Sequence, residues 1–295
     1  MINKKINLKR MKQNKTIIYF WYEKYMFEII EDEIFQIKIK DYYLYAIGDI
    51  HGNFNIFIKY VKHMKLDKSI FIICGDCGFG FLSRKGHENE LSKINDILKE
   101  YDSYVLCVRG NHDDPRYFNS ENRFQLERII CLPDYSLISI DEFNILCVGG
   151  AISIDRHQRK KDYWKYRRRL LKYNPNANIK SIPKGYWRSE KPVYNRDKLE
   201  KIKLNISCVI SHTVPSFVYP IWKKNLMEFV EHDPLLIYDI IQEREVMDKI
   251  FKYLKIHQKD SLKKWYYGHF HENHRKIIED VEFNLLDIET IQRVY

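Results

Sequence analysis

The amino-acid sequence predicts an α/β fold with much parallel strand pairing, and three observations support this prediction. From residue 42 onward, short apolar runs each end in Gly, Asp, Asn or His; they are YLYAI, SIFIIC, YVLCV, ILCV and SCVIS. Helix-like segments at 54–65 and 88–101 separate the first three runs, and buried strands that alternate with helices are typical of parallel sheets. The 295 residues are 45% hydrophobic and 15% aromatic, which is the composition of a globular chain and excludes collagen-like and low-complexity proteins.

The same pattern divides the chain into an N-terminal extension and a main domain. Residues 1–41 begin with a basic arm (1–15) and continue with β-favouring stretches whose pairing no turn signature fixes. Residues 42–295 hold the alternating strands and helices, and the proline-containing stretch 156–203 interrupts them as a basic insertion. The chain has the length for one large domain or for two small ones.

One helix and three closing strands are clearly marked in the last third of the sequence. Asp233 is a candidate cap and Pro234 suits the first turn of this helix. Its apolar face has helical spacing and consists of Leu236, Ile240, Met247, Ile250, Phe251 and Leu254. The stretches WYYGHF, HRKII and VEFNLLDI predict the strands that complete the domain.

The cysteine and hydropathy patterns predict the cellular environment. Six cysteines are spread through the chain, so we expect buried thiols in a reducing compartment rather than a disulfide framework. The apolar run 17–22 is shorter than the core of a signal peptide or a membrane span, and the residues before it are polar. We therefore expect a cytoplasmic protein without membrane association.

The positive charge of the sequence is concentrated in two segments. Residues 156–203 hold 17 Lys and Arg against 4 Asp and Glu, and residues 1–15 hold 6 basic and no acidic residues. A basic segment that carries aromatic rings is typical of contact with nucleic acid or another polyanion. The candidate contact residues are Arg156, Arg159, Trp164, Tyr166, Arg167, Arg168, Arg169, Tyr186, Trp187 and Arg188. The alternative is a solvated face in a chain whose lysine excess reflects coding bias.

Side chains of the kinds that bind metals stand at the ends of five apolar runs. They are Asp49 and His51 in GDIHGN, Asp76 in GDCG, Asn111, His112 and Asp113 in RGNHD, His212 in SHTVP, and His269 and His271 in GHFH. In an open α/β sheet, ligands bind outside the carboxyl ends of the strands, so we expect these side chains to converge on one site. Asp and His together suit divalent Mn, Fe, Zn or Ni, and seven such ligands suit two ions that share one carboxylate.

Each of these residue types also has a common structural role. In the alternative role, Asp49 and Asp76 would cap helices at strand-to-helix turns, and Asn111 alone would indicate a turn. A lone histidine is more often structural than metal-binding, which is our expectation for the histidines outside the motifs. The company of the other motifs favours metal binding for the histidines inside them.

In this order, the five motifs resemble those of the calcineurin-like metallophosphoesterase superfamily, over roughly residues 42–290. The resemblance implies a double β-sandwich flanked by helices, a four-layer αββα fold, with a dinuclear metal centre. It implies that Asp49, His51 and His271 hold one ion, that Asn111, His212 and His269 hold the other, and that Asp76 bridges them. Mn is our first expectation for both ions, with Fe, Zn or Ni as alternatives.

The resemblance also implies the reaction. Two neighbouring ions lower the pKa of bound water and neutralise phosphoryl oxygens, so that a metal-bridging hydroxide attacks a phosphate mono- or diester directly. His112 resembles the general acid that protonates the leaving oxygen, and Asp113 orients this imidazole or supports its loop. Arg109 resembles a phosphate-clamping arginine, and a structural ion pair is its alternative role.

Two features bear on the branch of the superfamily. The protein Ser/Thr phosphatases continue the GD motif to Asp-Arg-Gly, whereas Phe79 and Gly80 stand where this Asp and Arg would fall, so we do not expect an orthodox Ser/Thr phosphatase. The stretches GGAISIDR and YWRSEKP are similar to segments of bacterial or phage-type members. The alternative function is a nucleic-acid or protein binding module without turnover, but lost metal ligands would mark such a module and every predicted ligand position is filled.

Overall fold

The residues that the computed structural model describes are 16–22, 25–31, 34–175, 186–258 and 261–295, and the predicted arm at 1–15 lies outside them. The strands are β1 (Thr16–Tyr22), β2 (Tyr25–Glu31), β3 (Phe35–Lys40), β4 (Tyr43–Ile47), β5 (Ser69–Ile73), β6 (Tyr104–Cys107), β7 (Ile129–Cys131), β8 (Ser136–Ile140), β9 (Phe143–Val148), β10 (Cys208–Ser211), β11 (Lys264–Tyr267), β12 (His274–Ile278), β13 (Val281–Leu285) and β14 (Ile291–Arg293). The helices are α1 (Ile56–Ile58), which continues as a π-helical turn (Lys59–His63), α2 (Arg84–Glu100), α3 (Arg156–Tyr173), α4 (Arg196–Lys201), α5 (Leu226–Val230) and α6 (Leu236–His257), with a 3₁₀ turn at Pro115–Phe118.

Five strands form a mostly parallel sheet in the order β14-β4-β5-β6-β7, in which only the edge strand β14 runs antiparallel to its neighbour. The connection from β4 to β5 passes through α1, and that from β5 to β6 passes through α2. Strand β5 is buried at every position because its sequence, SIFII, is apolar on both faces. The alternation of strands and helices predicted from the sequence is therefore confirmed.

Nine strands form the second sheet, in the order β1-β2-β3-β8-β9-β10-β11-β13-β12. Its centre, from β9 to β13, is parallel, whereas β8 and β12 run antiparallel to their inner neighbours. The β-favouring stretches before residue 42 form the antiparallel strands β1, β2 and β3, and β3 joins the sheet by parallel pairing with β8. Strand β3 buries every second side chain, as the period of a half-exposed strand requires.

The two sheets face each other across a shared apolar core, and helices cover their outer faces. Side chains such as Ile72 of β5 and Ile210 of β10 meet between the sheets. A second apolar cluster packs α1 and α2 against the five-stranded sheet, and a third packs α6 against the nine-stranded sheet. Each fully buried Ile or Leu in these layers contributes about 1.5–3 kcal/mol of hydrophobic free energy. The predicted αββα four-layer fold is confirmed.

Helix α6 buries the face that its spacing predicts, because all six predicted apolar residues are buried. Asp233, however, is not the side-chain cap that the sequence predicted. The carboxylate of Asp233 binds Arg156 of α3 at 2.7 Å from Nε, and Asp239 of α6 binds the same guanidinium at 2.7 Å from Nη1. Asp233 thus joins α3 to the start of α6 through an ion pair that sequence spacing did not indicate.

The prediction of buried thiols is confirmed, because all six cysteines are buried and free. Within the described residues, no helix combines the length and the apolar character that crossing a bilayer requires.

Candidate metal centre

The predicted metal-binding residues lie together where the two sheets face each other. Each follows the carboxyl end of one of five parallel strands: β4, β5 and β6 of one sheet, and β10 and β11 of the other. Residues up to 222 positions apart in the sequence therefore come into contact, such as Asp49 and His271. The predicted convergence of these strand ends is what brings carboxylates and imidazoles within reach of a common ion.

One cluster consists of Asp49, His51 and His271. The Nε2 atom of His271 lies 3.1 Å from Oδ2 of Asp49 and 3.3 Å from Nε2 of His51. The side chain of Asp49 is buried, whereas those of His51 and His271 are 30% and 36% exposed. This cluster is therefore the part of the centre that solvent, and hence a substrate, can reach.

The second cluster is buried and contains Asp49, Asp76 and His212. His212 donates from Nδ1 to the backbone oxygen of Cys74 at 2.7 Å, because a carbonyl oxygen can only accept. Its Nε2 atom then points at Oδ1 of Asn111 (2.9 Å) and at Oδ1 of Asp76 (3.3 Å). A neutral imidazole would direct a lone pair at two acceptor oxygens, so this geometry requires a cation, either a proton or a metal ion, between the three atoms.

Two further buried atoms in this region lack a hydrogen-bond partner among the described residues. They are Oδ2 of Asp76 and Nδ1 of His269. An unsatisfied buried polar atom costs on the order of 1–3 kcal/mol, so native structures rarely leave such atoms without a partner. Both atoms are of kinds that ligate divalent metals, and metal binding would satisfy each of them.

The electrostatics of the buried cluster agree with this arrangement. Burial opposes the ionisation of Asp76, but the imidazoles of His212 and His112 outweigh it and hold the pKa of Asp76 well below its usual range. Burial lowers the pKa of His212, but the charges of Asp76 and Asp49 outweigh burial and raise this pKa to about 9. The cluster thus attracts positive charge, and a bound metal would displace the proton that His212 otherwise holds.

The pKa of His269 moves in the opposite direction. Burial, reinforced by the charges of Lys223 and His212, holds it well below its usual range. The imidazole of His269 is therefore neutral, which is the form that binds metals.

The backbone at the centre is strained. Four of the predicted ligands have positive φ angles: His51 (45°), Asp76 (49°), His269 (70°) and His271 (54°). Non-glycine residues rarely adopt this region, and such strain concentrates at functional sites. Gly75 also has a positive φ, of 100°, and a Cβ there would lie 2.2 Å from Nδ1 of His212, which explains the glycine before Asp76.

His112 lies at the accessible side of the centre. Its backbone N–H donates to Oδ1 of Asp76 at 2.8 Å, and its Nε2 atom lies 3.8 Å from Oδ2 of the same carboxylate. Its side chain is 13% exposed. The imidazole thus stands beside the residue predicted to bridge the ions.

Asp113 supports its loop, the second of the two roles predicted for it. Its carboxylate is fully buried and accepts hydrogen bonds from four backbone N–H groups, those of Cys77, Gly78, Phe79 and Gly110. It ties the RGNHD loop to the GDCG loop, so we assign it no proton transfer.

Arg109 is placed differently from a phosphate clamp. Its guanidinium is buried and donates to Oδ2 of Asp134 at 2.9 Å and to the backbone oxygen of Glu190 at 2.7 Å. Further hydrogen bonds go to the backbone oxygens of Ser189, Lys191 and Gly149. The structure favours the structural ion pair, the alternative role of Arg109, because these partners already occupy the guanidinium.

The missing Asp-Arg pair of the Ser/Thr phosphatases has a steric explanation. Phe79 is fully buried, and its ring packs against Phe124 and His87. Gly80 has a φ of 102°, and a Cβ there would lie 2.7 Å from the ring of Trp187 and 2.8 Å from Cβ of Asp114. An arginine has no room at position 80 in this fold.

Two of the predicted polyanion contacts, Trp187 and Arg156, are buried and therefore not available to a polyanion. Trp187 packs beside Gly80, and Arg156 pairs with Asp233 and Asp239. The other predicted contact residues lie mostly on α3, and residues 176–185 of the basic insertion lie outside the described residues.

Two cations lie near the centre, where the sequence did not place them, although it predicted Arg159 as a polyanion contact. Arg159 of α3 places Nη2 at 3.5 Å from Nε2 of His112, while its Nε atom binds Asp155 at 2.7 Å. The pKa of Lys223 is lowered by burial, against the opposing effect of the carboxylates of Asp76 and Asp49. Both residues come from segments without a motif, so only the fold shows that they face the carboxylate-rich centre.

The chain is similar to one protein family and to several solved structures. A family model described as calcineurin-like phosphoesterase matches residues 42–273. Phosphopantetheinyl hydrolase from Mycobacterium tuberculosis is similar in structure, with 13% sequence identity, a TM-score of 0.39, and coverage of 85% of this chain and 95% of that chain. A cold-active protein-tyrosine phosphatase of a psychrophilic Shewanella species is similar with 10% identity, a TM-score of 0.31, and coverage of 95% and 88%. No curated protein sequence matches this chain.

Proposed function

The chain belongs to the calcineurin-like phosphoesterase family and is a hydrolase of phosphoric ester bonds, and on this premise we propose that it hydrolyses a phosphate mono- or diester at a centre of two divalent metal ions. One ion would be held by Asp49, His51 and His271. The other would be held by Asn111, His212 and His269, with Asp76 shared between them. Mn is the metal we propose first, because the mixed oxygen and nitrogen donors suit a borderline divalent ion.

The observation that carries this proposal is the arrangement of acceptor atoms around Nε2 of His212. In a buried space, Oδ1 of Asn111 lies 2.9 Å and Oδ1 of Asp76 lies 3.3 Å from Nε2 of His212, and all three atoms carry lone pairs. Oδ2 of Asp76 and Nδ1 of His269, which have no hydrogen-bond partner among the described residues, are two more atoms that would ligate the ions. When bound, the ions would activate water for direct attack on phosphorus and neutralise the phosphoryl oxygens.

The chain's own residues would complete the reaction. His112 would give a proton to the leaving oxygen, since it stands at the accessible side next to Asp76. Arg159, whose guanidinium lies beside His112, would draw the anionic ester towards that side.

Removal of metal tests the proposal directly. Protein treated with a chelator should lose hydrolysis of aryl phosphate esters, and Mn²⁺ should restore it with about two ions bound per chain. A panel of monoester, diester, nucleotide, phosphopeptide and end-phosphorylated nucleic acid, assayed in Mn²⁺, then identifies the substrate class. Full hydrolysis by the metal-free protein would contradict the proposal.

We also propose that α3 binds a polyanion such as nucleic acid. The helix carries nine Lys and Arg against one Asp, and most of its length beyond Arg159 is exposed. Three of its aromatic rings are open to solvent, with exposed fractions of 50% for Trp164, 48% for Tyr166 and 82% for Tyr173. Cations interleaved with exposed rings fit a phosphate backbone with bases that can stack.

Salt dependence distinguishes this binding from a merely solvated face. The affinity for single-stranded nucleic acid should fall steeply with salt, and replacing Lys165, Arg168 and Arg169 with Gln should reduce the log–log slope by roughly 2. The matched control replaces Lys59, Lys62 and Lys65, which lie in or just after the π-helical turn that follows α1, with Gln and should leave the slope unchanged. Binding that is undetectable, or equal in the two triple variants, would favour the coding-bias alternative.

A further inference from the structure

The orientation of the Asn111 side chain decides whether this residue can bind a metal. Its amide has an oxygen with lone pairs at one end and an NH₂ group that only donates at the other. The oxygen lies 2.9 Å from Nε2 of His212, and the nitrogen lies 2.9 Å from Oγ of Ser153. The partner of the NH₂ group therefore fixes which end faces the centre.

Ser153 can serve as that partner only if its own hydroxyl proton points elsewhere. Its Oγ donates to Oε2 of Glu190 at 2.6 Å, and its backbone N–H donates to Oε1 of the same carboxylate at 3.0 Å. Burial raises the pKa of Glu190 to about 8, whereas the two hydrogen bonds from Ser153 favour its ionised form. In that form both donors of Ser153 are engaged, and the lone pairs of Oγ are left to accept from Asn111. All three residues are buried, with exposed fractions of 1%, 2% and 1% for Ser153, Glu190 and Asn111.

The carboxylate of Glu190 reaches this position because its backbone is held from two sides. Its carbonyl oxygen accepts from Nη1 of Arg109 at 2.7 Å and from the backbone N–H of Ala151 at 3.2 Å. Its own N–H donates to the backbone oxygen of Trp187 at 3.1 Å. The contact thus unites the GGAISIDR and YWRSEKP stretches, and it gives the buried Arg109 a role in placing Glu190.

We propose that Ser153 and Glu190 are positioning residues that orient Asn111, through the chain of hydrogen bonds Asn111 to Ser153 to Glu190, so that its oxygen faces the second metal ion. This inference rests on the proposed function, since it concerns the same centre. It assigns a role to residues that lie outside the metal-binding motifs. Outer partners that orient metal ligands typically contribute tenfold to a hundredfold to metal affinity.

The direction of the chain explains why both members are needed. Without the Ser153 hydroxyl, the NH₂ group of Asn111 loses its acceptor, and the amide is free to turn its nitrogen towards His212. A neutral amide in place of Glu190 can itself donate to Oγ of Ser153, which then directs its proton at Asn111 and favours the turned amide. An NH₂ group at the centre repels a cation instead of binding it.

Calorimetric titration of the metal-free protein with Mn²⁺ measures this effect without an activity assay. Ser153→Ala should weaken one of the two sites tenfold to a hundredfold and leave the other unchanged, and Glu190→Gln should act in the same direction. Ser153→Thr, which keeps the hydroxyl, should restore the affinity. The matched control is Ser216→Ala, because Ser216 also donates to a carboxylate, that of Asp248 at 2.7 Å, but lies on the exposed surface.

The outcomes separate this inference from the proposed function. If the wild-type protein binds no metal, the proposed function fails and the inference with it. If the wild-type protein binds two ions and both Ser153→Ala and Glu190→Gln keep both affinities, only the positioning role is overturned. A merely structural role would lower the thermal stability of the metal-free variants while leaving the ratio of the two affinities unchanged, and this result would also overturn it.

Discussion

Asp76→Ala should lose both metal ions and nearly all turnover. Asp76 lies close to both halves of the centre, as does Asp49, which belongs to both clusters. Oδ1 of Asp76 lies 3.3 Å from Nε2 of His212, and Oδ2 lies 3.9 Å from Nδ1 of His51. Without Asp76, Asp49 is the one carboxylate left in the two candidate clusters, and a single negative charge does not offset the repulsion between two divalent ions. Metal ions contribute several kcal/mol of charge stabilisation to such reactions, so we expect kcat to fall on the order of 10⁴-fold or more.

Metal analysis and steady-state kinetics on the same preparation check this prediction. Asp76→Asn sharpens it, because an amide oxygen can still accept from the backbone N–H of His112 while the negative charge is gone. The matched control is Asp114→Asn, which removes a buried carboxylate that pairs with Arg116 and lies outside the two candidate clusters. The control should lower stability and retain two ions. An Asp76→Ala protein that still binds two ions would contradict the bridging role.

The sequence predicted the residues of the centre because each of them belongs to a short motif next to a strand. Each predicted ligand directly follows an apolar run, and the carboxyl ends of parallel strands lie at one edge of a sheet. The strand assignments alone therefore bring Asp49 and Asp76 to one edge of the five-stranded sheet, whereas His269 follows a strand of the other sheet and meets them only because the two sheets face each other. The four-layer fold came from the resemblance, because apolar runs alone do not reveal that two sheets face each other.

The contacts around the centre could not be predicted in this way. Arg109 stands next to the RGNHD motif in sequence, but its partners Asp134 and Glu190 lie 25 and 81 residues away. Ser153 and Glu190 are 37 residues apart and belong to segments whose approach only the folded chain defines. The tertiary structure determines which residues such side chains contact, so the sequence shows that the side chains are present but not what they bind.

The charge pattern was informative in sum and misleading in detail. The basic insertion does form an exposed, strongly basic helix, as its composition indicates. Arg156 at the start of that helix is nevertheless buried between Asp233 and Asp239, and Trp187 is buried beside Gly80. A charge count cannot separate a cation that holds the fold together from one that is available to a partner.

His112→Gln should slow hydrolysis in a way that depends on the leaving group. If His112 protonates the leaving oxygen, its loss matters most for alkyl esters, whose alkoxide leaves poorly without a proton. We expect kcat to fall about 10²- to 10⁴-fold for an alkyl phosphate, and much less for an aryl ester with an acidic phenol. Both metal ions should remain, and the pH dependence of kcat for the alkyl ester should lose its basic limb.

The comparison of two esters on one variant separates proton transfer from a structural effect. The backbone N–H of His112 donates to Asp76, and this hydrogen bond persists in any variant except proline. His157→Gln is a suitable control, because His157 stacks on His232, away from the candidate clusters. An equal fall for both esters would refute the general-acid role and would instead indicate that the imidazole stabilises the anionic substrate. Arg159 lies 3.5 Å from the same ring nitrogen, so in that case Arg159→Gln should also slow both esters equally. If His112 is instead the general acid, only the histidine variant should show an effect that depends on the leaving group.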